Sequence, residues 1–137
     1  MNLTDRIRRA ARSTVGSAAQ IKQLARKNGA RVHYVLQPLS RWSKEIFHES
    51  EEEMFYAIDA CANNFWRLFE KLAAPDLHES YSSQLEQGCM KEGIKYFDMN
   101  RLMKDSPVLN QNIYIDHLHF NDAGYEEMGR IIYEKVI

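Results

Sequence analysis

The stretch around Gly29 to Pro38 restricts the fold more than any other. Upstream, Ile7, Ala10, Ala11, Val15, Ala18, Ile21, Leu24 and Ala25 recur three and four residues apart. That is the period of an amphipathic helix, here expected over Thr4 to Asn28, with Gly29 as its stop. Arg31 to Gln37 is short, β-branched and aromatic, and Pro38 ends it, so it reads as a strand. Helix, glycine, strand is half of an α/β unit. In sheets of that kind, ligands gather beyond the carboxyl ends of the strands. Gln37, Pro38, Ser40, Arg41 and Trp42 therefore belong near any site, and Gln37 and Trp42 are the candidate pocket residues. The competing account of these two is a capped strand end with a packed indole.

The rest of the chain continues the alternation. Ser50-Glu51-Glu52-Glu53 has the Ser-x-x-Glu form of a capping box. Behind it Met54, Ile58, Cys61, Phe65, Leu68 and Leu72, flanked by Phe55, Ala62 and Phe69, predict one helix to about Ala74. The stripe is core or interface. Pro75-Asp76 breaks it, and Leu77 to Lys91 reads as a further helix with His78 as a surface or capping residue. Ile94 to Phe97 is a second strand after Gly93. Asp98, at its carboxyl end, is either a site carboxylate or, the preferred reading, a cap for a helix over Met99 to Lys104. No repeat, low-complexity tract or interior linker appears, so residues 1–137 read as one domain.

Composition is that of a globular chain, 45% hydrophobic and 27% charged, and 137 residues can bury a real core. No apolar run approaches the ~20 residues of a membrane-spanning helix. The N-terminus lacks the apolar stretch of a secretory signal, which favours a cytoplasmic location for the chain as given. Cys61 and Cys89 fall in helical patterns and read as buried free thiols rather than a disulfide. Residues 1–44 carry ten Lys/Arg and one acid, whereas residues 45–137 carry eight Lys/Arg and eighteen acids. Arg6, Arg8, Arg9 and Arg12 crowd the end of a helix that disfavours cations. That suggests upstream structure or an anionic partner. Nucleic acid is disfavoured, because the basic residues lack interleaved aromatics.

The chemistry concentrates near the C-terminus, in Tyr114-Ile115-Asp116-His117-Leu118-His119-Phe120-Asn121-Asp122-Ala123-Gly124-Tyr125. On a tight loop, Asp116 can reach a ring nitrogen of His119. A carboxylate there fixes the tautomer and stabilises the imidazolium, as a general base requires. Asn121 or Asp122 then caps a last helix whose apolar side is expected to be Tyr125, Met128, Ile132 and Val136. Two other accounts stay open. Asp116, His117 and His119 carry donors suited to a metal, and the Asp–His pair can simply pin the loop to the helix. His117 points away from His119 on an extended backbone and is left out of the catalytic pair.

Asp-x-x-His followed by Phe-Asn-Asp-x-Gly-Tyr and a closing helix resembles the last conserved block of the SGNH (GDSL-type) hydrolases, which are esterases, lipases and carbohydrate-ester deacylases. Ala30 to Pro38 is similar to a late core strand of the same fold. The resemblance implies a three-layer α/β/α sandwich of flavodoxin-like type, with Asp116 orienting His119 and His119 activating a serine. It implies a small-molecule, lipid or carbohydrate ester as substrate, and no cofactor. The family's Gly-Asp-Ser block has no match: Gly16-Ser17 lies in the Arg-rich helix. Its Gly-x-Asn-Asp block has none either, since Asn63-Asn64 lacks the glycine and is read as mid-helix. The chain is therefore expected to correspond to the late strands and helices of such a domain. Self-association through an open strand edge, or a partner segment completing the sheet, is the corollary. A non-catalytic module on the same fold is the alternative.

Overall fold

The computed structural model describes residues 2–62, 65–68 and 70–137. The elements in order are α1 (Leu3–Lys27), β1 (His33–Leu36), α2 (Ser40–Ser43), α3 (Glu49–Ala60), 3₁₀ turns at Phe65–Leu68 and Glu70–Ala73, α4 (Pro75–Lys91), β2 (Lys95–Asp98), α5 (Met99–Leu102), a 3₁₀ turn at Pro107–Asn110, and α6 (Asp122–Lys135). The protein is thus mixed α/β and mainly helical, with a two-stranded parallel sheet among the described residues. The chain divides into two compact units, residues 1–36 with 76–98 and residues 37–75 with 99–137.

The first unit is built on α1, β1, α4 and β2. Asn2 caps α1 by accepting the Asp5 N–H at 2.8 Å. Ile7, Ala11, Val15 and Ala18 form its buried face. Ile21 and Leu24, expected on that face, are exposed, because the buried line advances by four, four and three and leaves them to one side. At Gly88 of α4 a Cβ would lie 2.7 Å from Val15 Cγ2, so glycine lets the two helices close up there. Lys22 Nζ donates to the carbonyls of Glu92 and Gly93 beyond the end of α4, a favourable place for a cation. Gly29 and Gly93, both with positive φ, turn each helix toward its strand. β1 and β2 pair in parallel from His33 opposite Lys95 to Leu36 opposite Asp98, and the rings of Tyr34 and Tyr96 stack across the pair.

His78 is not a surface residue. It is buried and places Nε2 2.7 Å from Asp98 Oδ2, which also accepts the Ser82 hydroxyl at 2.6 Å. Ser82 Oγ lies 2.9 Å from the Tyr96 hydroxyl. Asp98 thus joins a polar cluster with α4, because burial leaves its carboxylate dependent on protein donors.

The second unit gathers around Glu51, which is fully buried. Oε1 accepts the N–H groups of Ile113 and Tyr114 at 2.9 and 3.0 Å. Oε2 accepts Lys44 Nζ at 2.6 Å and the His48 N–H at 2.9 Å. Burial alone would raise this carboxyl, but these four donors hold it below the usual carboxylate range. The capping box is therefore His48 with Glu51, not Ser50 with Glu53. The helix expected to reach Ala74 ends at Ala60. Cys61 is extended, and the Asp59 carbonyl takes the Arg67 guanidinium at 2.8 and 3.2 Å. Tertiary donors replace the next helical turn. Cys61 is exposed rather than buried, while Cys89 is buried, and both are free thiols. Burial pushes the Cys89 thiol up. Asn63, Asn64 and Phe69 lie outside the described residues, as do the side chains of Phe65, Leu68 and Leu72.

Candidate functional site

The loop bearing Asp116 is pinched shut at its base. Ile115 N–H donates to the His119 carbonyl at 3.0 Å, and Asn121 N–H donates to the Ile113 carbonyl at 2.7 Å. Tyr114 and Phe120 form an antiparallel bridge between them. The Asn121 side chain ties the loop at both ends. Nδ2 donates to the Asn112 carbonyl at 2.8 Å, and Oδ1 accepts the Gly124 N–H at 3.1 Å as the cap of α6. The buried face of α6 is Gly124, Glu127 and Ile131. It is rotated from the expected one: Val136 is buried as expected, but Tyr125 is exposed. Gly124 causes this: a Cβ there would come 2.7 Å from the Phe120 side chain, so the loop aromatic packs directly on the first turn.

Within this frame Asp116 and His119 meet. Asp116 Oδ2 lies 2.7 Å from His119 Nδ1. Oδ1 accepts the N–H groups of Leu118 and His119 at 2.6 and 2.7 Å. Partial burial raises the Asp116 carboxyl, but the His119 ring and the two backbone donors outweigh it and hold the group below the usual carboxylate range. An ionised Asp116 favours the tautomer with hydrogen on Nδ1, leaving the Nε2 lone pair free. The His119 side chain is 52% exposed, so that lone pair is open to an incoming group.

Gln37 belongs to this arrangement, but as a brace. Its side-chain amide donates to the Leu118 carbonyl at 3.1 Å. Asn100, at the start of α5, holds the segment after β1 by accepting the Leu39 N–H at 2.9 Å and donating to the Gln37 carbonyl at 3.3 Å. In α2, the Ser40 N–H donates to the His117 carbonyl at 3.1 Å, and Ser43 shares a hydrogen bond with the buried Tyr114 hydroxyl. Trp42 is half-buried on the same short helix, between Ser40 and Ser43, which hold the loop.

His117 is the loop's anchor and faces other partners than His119 does. It is 2% exposed. Its ring stacks between Phe55 at 4.4 Å and Trp66 at 4.2 Å, and Nε2 lies 3.0 Å from Asp59 Oδ1. His117 is therefore separate from the Asp116–His119 pair, and no group of three or more potential metal ligands comes together among the described residues. Sequence reasoning missed Glu51, Asn100 and the His117 stack. Each depends on partners far along the chain: Glu51 on Ile113 and Tyr114, Asn100 on Gln37 and Leu39, and His117 on Phe55 and Trp66.

No helix among the described residues is long and apolar enough to cross a membrane. Compared with known proteins, the chain matches no family model and no curated protein sequence.

Proposed function

We propose that Asp116 and His119 are the acid–base half of an ester hydrolase site of the SGNH type, on late strands and helices of a three-layer α/β/α sandwich. The observation that carries this reading is the 2.7 Å contact between Asp116 Oδ2 and His119 Nδ1, on a loop pinned by hydrogen bonds at its base and from Gln37 and Asn121, with the His119 side chain half exposed. His119 Nε2 takes the proton of an attacking hydroxyl while Asp116 stabilises the resulting imidazolium. The hydroxyl oxygen adds to the ester carbonyl, and the imidazolium returns the proton to the departing alcohol. Water, deprotonated at the same nitrogen, then releases the acid. The acyl group is acetyl or a longer chain on a small molecule, lipid or sugar. The serine and the oxyanion donors come in trans from a partner segment.

The alternative reading is a non-catalytic module. The bracing of the loop by Gln37, Ser40 and Asn121 favours it, since a loop with a purely structural role would be held the same way. A fluorophosphonate probe combined with solution mass separates the two. Labelling of a serine in an assembly larger than one chain, lost in His119→Ala, is the outcome expected of the hydrolase. A monomer inert to the probe at neutral pH would remove completion of the site in trans.

A further inference from the structure

The first unit contains a groove of about 600 Å³ between the first half of α1 and the end of α4. That is the scale of a small-molecule site. Ala11 and Val15 floor it, and Gly16 leaves it open: a Cβ there would meet nothing within 4 Å. Arg8 and Arg12 reach it from α1, and Lys91 faces them from α4. Glu92 is the one carboxylate in the lining, so three cations stand against one anion. Arg8 also touches Asp5 at 3.3 Å, in an exposed contact of little energetic weight. Arg12 and Lys91 form no ion pair among the described residues. Gln84 and Gln87 bond along α4 to Ser80 and Ser83 through one amide hydrogen each, which leaves a second hydrogen on each amide for a ligand.

This charge is held at a cost. Arg8 and Arg12 are four apart on α1, a like-charge pair on one helix face. Nothing in the packing of α1 requires it, since the buried face is Ile7, Ala11, Val15 and Ala18. Local rules broken without a packing gain mark functional positions. We propose that the groove binds a small phosphomonoester as its dianion. The two guanidinium forks and the Lys91 ammonium would hold the phosphate, the Gln84 and Gln87 amides would donate to its oxygens, and the organic body would lie on Ala11 and Val15. A phosphomonoester carries about −1.5 to −2 charge at pH 7, which matches the surplus in the lining. Planar donor forks suit phosphate oxygens better than a point charge does.

The test is an amide NMR titration of the full chain with phenyl phosphate, with phenyl sulfate as the singly charged isostere. Saturable shifts at Gly16, Gly88 and the Gln84 and Gln87 side chains are expected, with phenyl phosphate bound about ten-fold tighter than the sulfate. Arg12→Gln and Lys91→Gln should each weaken phenyl phosphate several-fold. Gly16→Leu fills the groove without removing a charge, into open space and with a better helix former, and should abolish binding in a folded chain. Equal affinity for the two probes, or binding unchanged in Gly16→Leu, would overturn the proposal.

Discussion

Glu51 illustrates how one side chain sets the position of a loop it never enters. Its two oxygens close four hydrogen bonds, two of them to the backbone that leads into Asp116. Lys44 is almost as enclosed, with a side chain 5% exposed, and also donates to the Gln111 carbonyl at 2.7 Å. Removing the carboxylate strands a buried ammonium and three N–H groups. Glu51→Ala should therefore destabilise the chain by about 3–5 kcal/mol, measured by urea denaturation. A loss near that of a surface substitution would mean that water reaches Lys44. The Asp116–His119 pair was legible because its partners lie three residues apart, within one loop. Glu51 was not. Its partners lie up to 63 residues away, and in the run Glu51-Glu52-Glu53 nothing local distinguishes the buried acid from its neighbours. His117 was legible only as a residue facing away from His119. Its stack needs Phe55 and Trp66, which no spacing rule brings to it.

The elements whose signals are local formed as read. α1 ends before Gly29, β1 lies within its expected stretch, and β2 is shifted by one residue to include Asp98. The elements that differ are those where tertiary partners compete with periodicity. The stripe from Met54 to Leu72 keeps helical spacing past Ala60, yet Arg67 satisfies the Asp59 carbonyl from outside the helix and the chain departs at Cys61. On α6 the buried face is rotated toward Gly124, Glu127 and Ile131, and of the expected apolar residues Val136 is buried while Tyr125 is exposed. Glu127 there accepts Arg130 through both oxygens at 2.8 Å, and the Ser106 hydroxyl at 2.6 Å. Those donors lower its pKa from 4.5 to about 2. A depressed carboxyl stabilises the fold fully above its ordinary value, and that contribution is lost as pH falls through the folded value. Glu127→Gln should thus flatten the acid limb of stability between pH 4.5 and about 2, read as denaturation midpoints across that range. Asp116 and Glu51 are lowered in the same direction, so some slope remains. An unchanged acid limb would show that the Arg130 and Ser106 bonds do not persist in solution.

For the whole molecule, an α/β class could be reasoned from helix–glycine–strand order, and a parallel pair of strands is what forms. The division into two discontinuous units left no mark in composition, because it follows contacts rather than linkers. The proposed activity depends on the proton-handling pair, which can be tested without knowing the natural ester. An activated ester requires only an oriented imidazole, acting as base or as nucleophile, so the chain itself suffices. The measurement is p-nitrophenyl acetate hydrolysis at neutral pH by the intact chain, His119→Ala and Asp116→Asn, beside free imidazole at equal concentration. The account predicts a rate above that of imidazole, background turnover in His119→Ala, and a loss of roughly 10²-fold or more in Asp116→Asn. Equal rates in all three chains would contradict it.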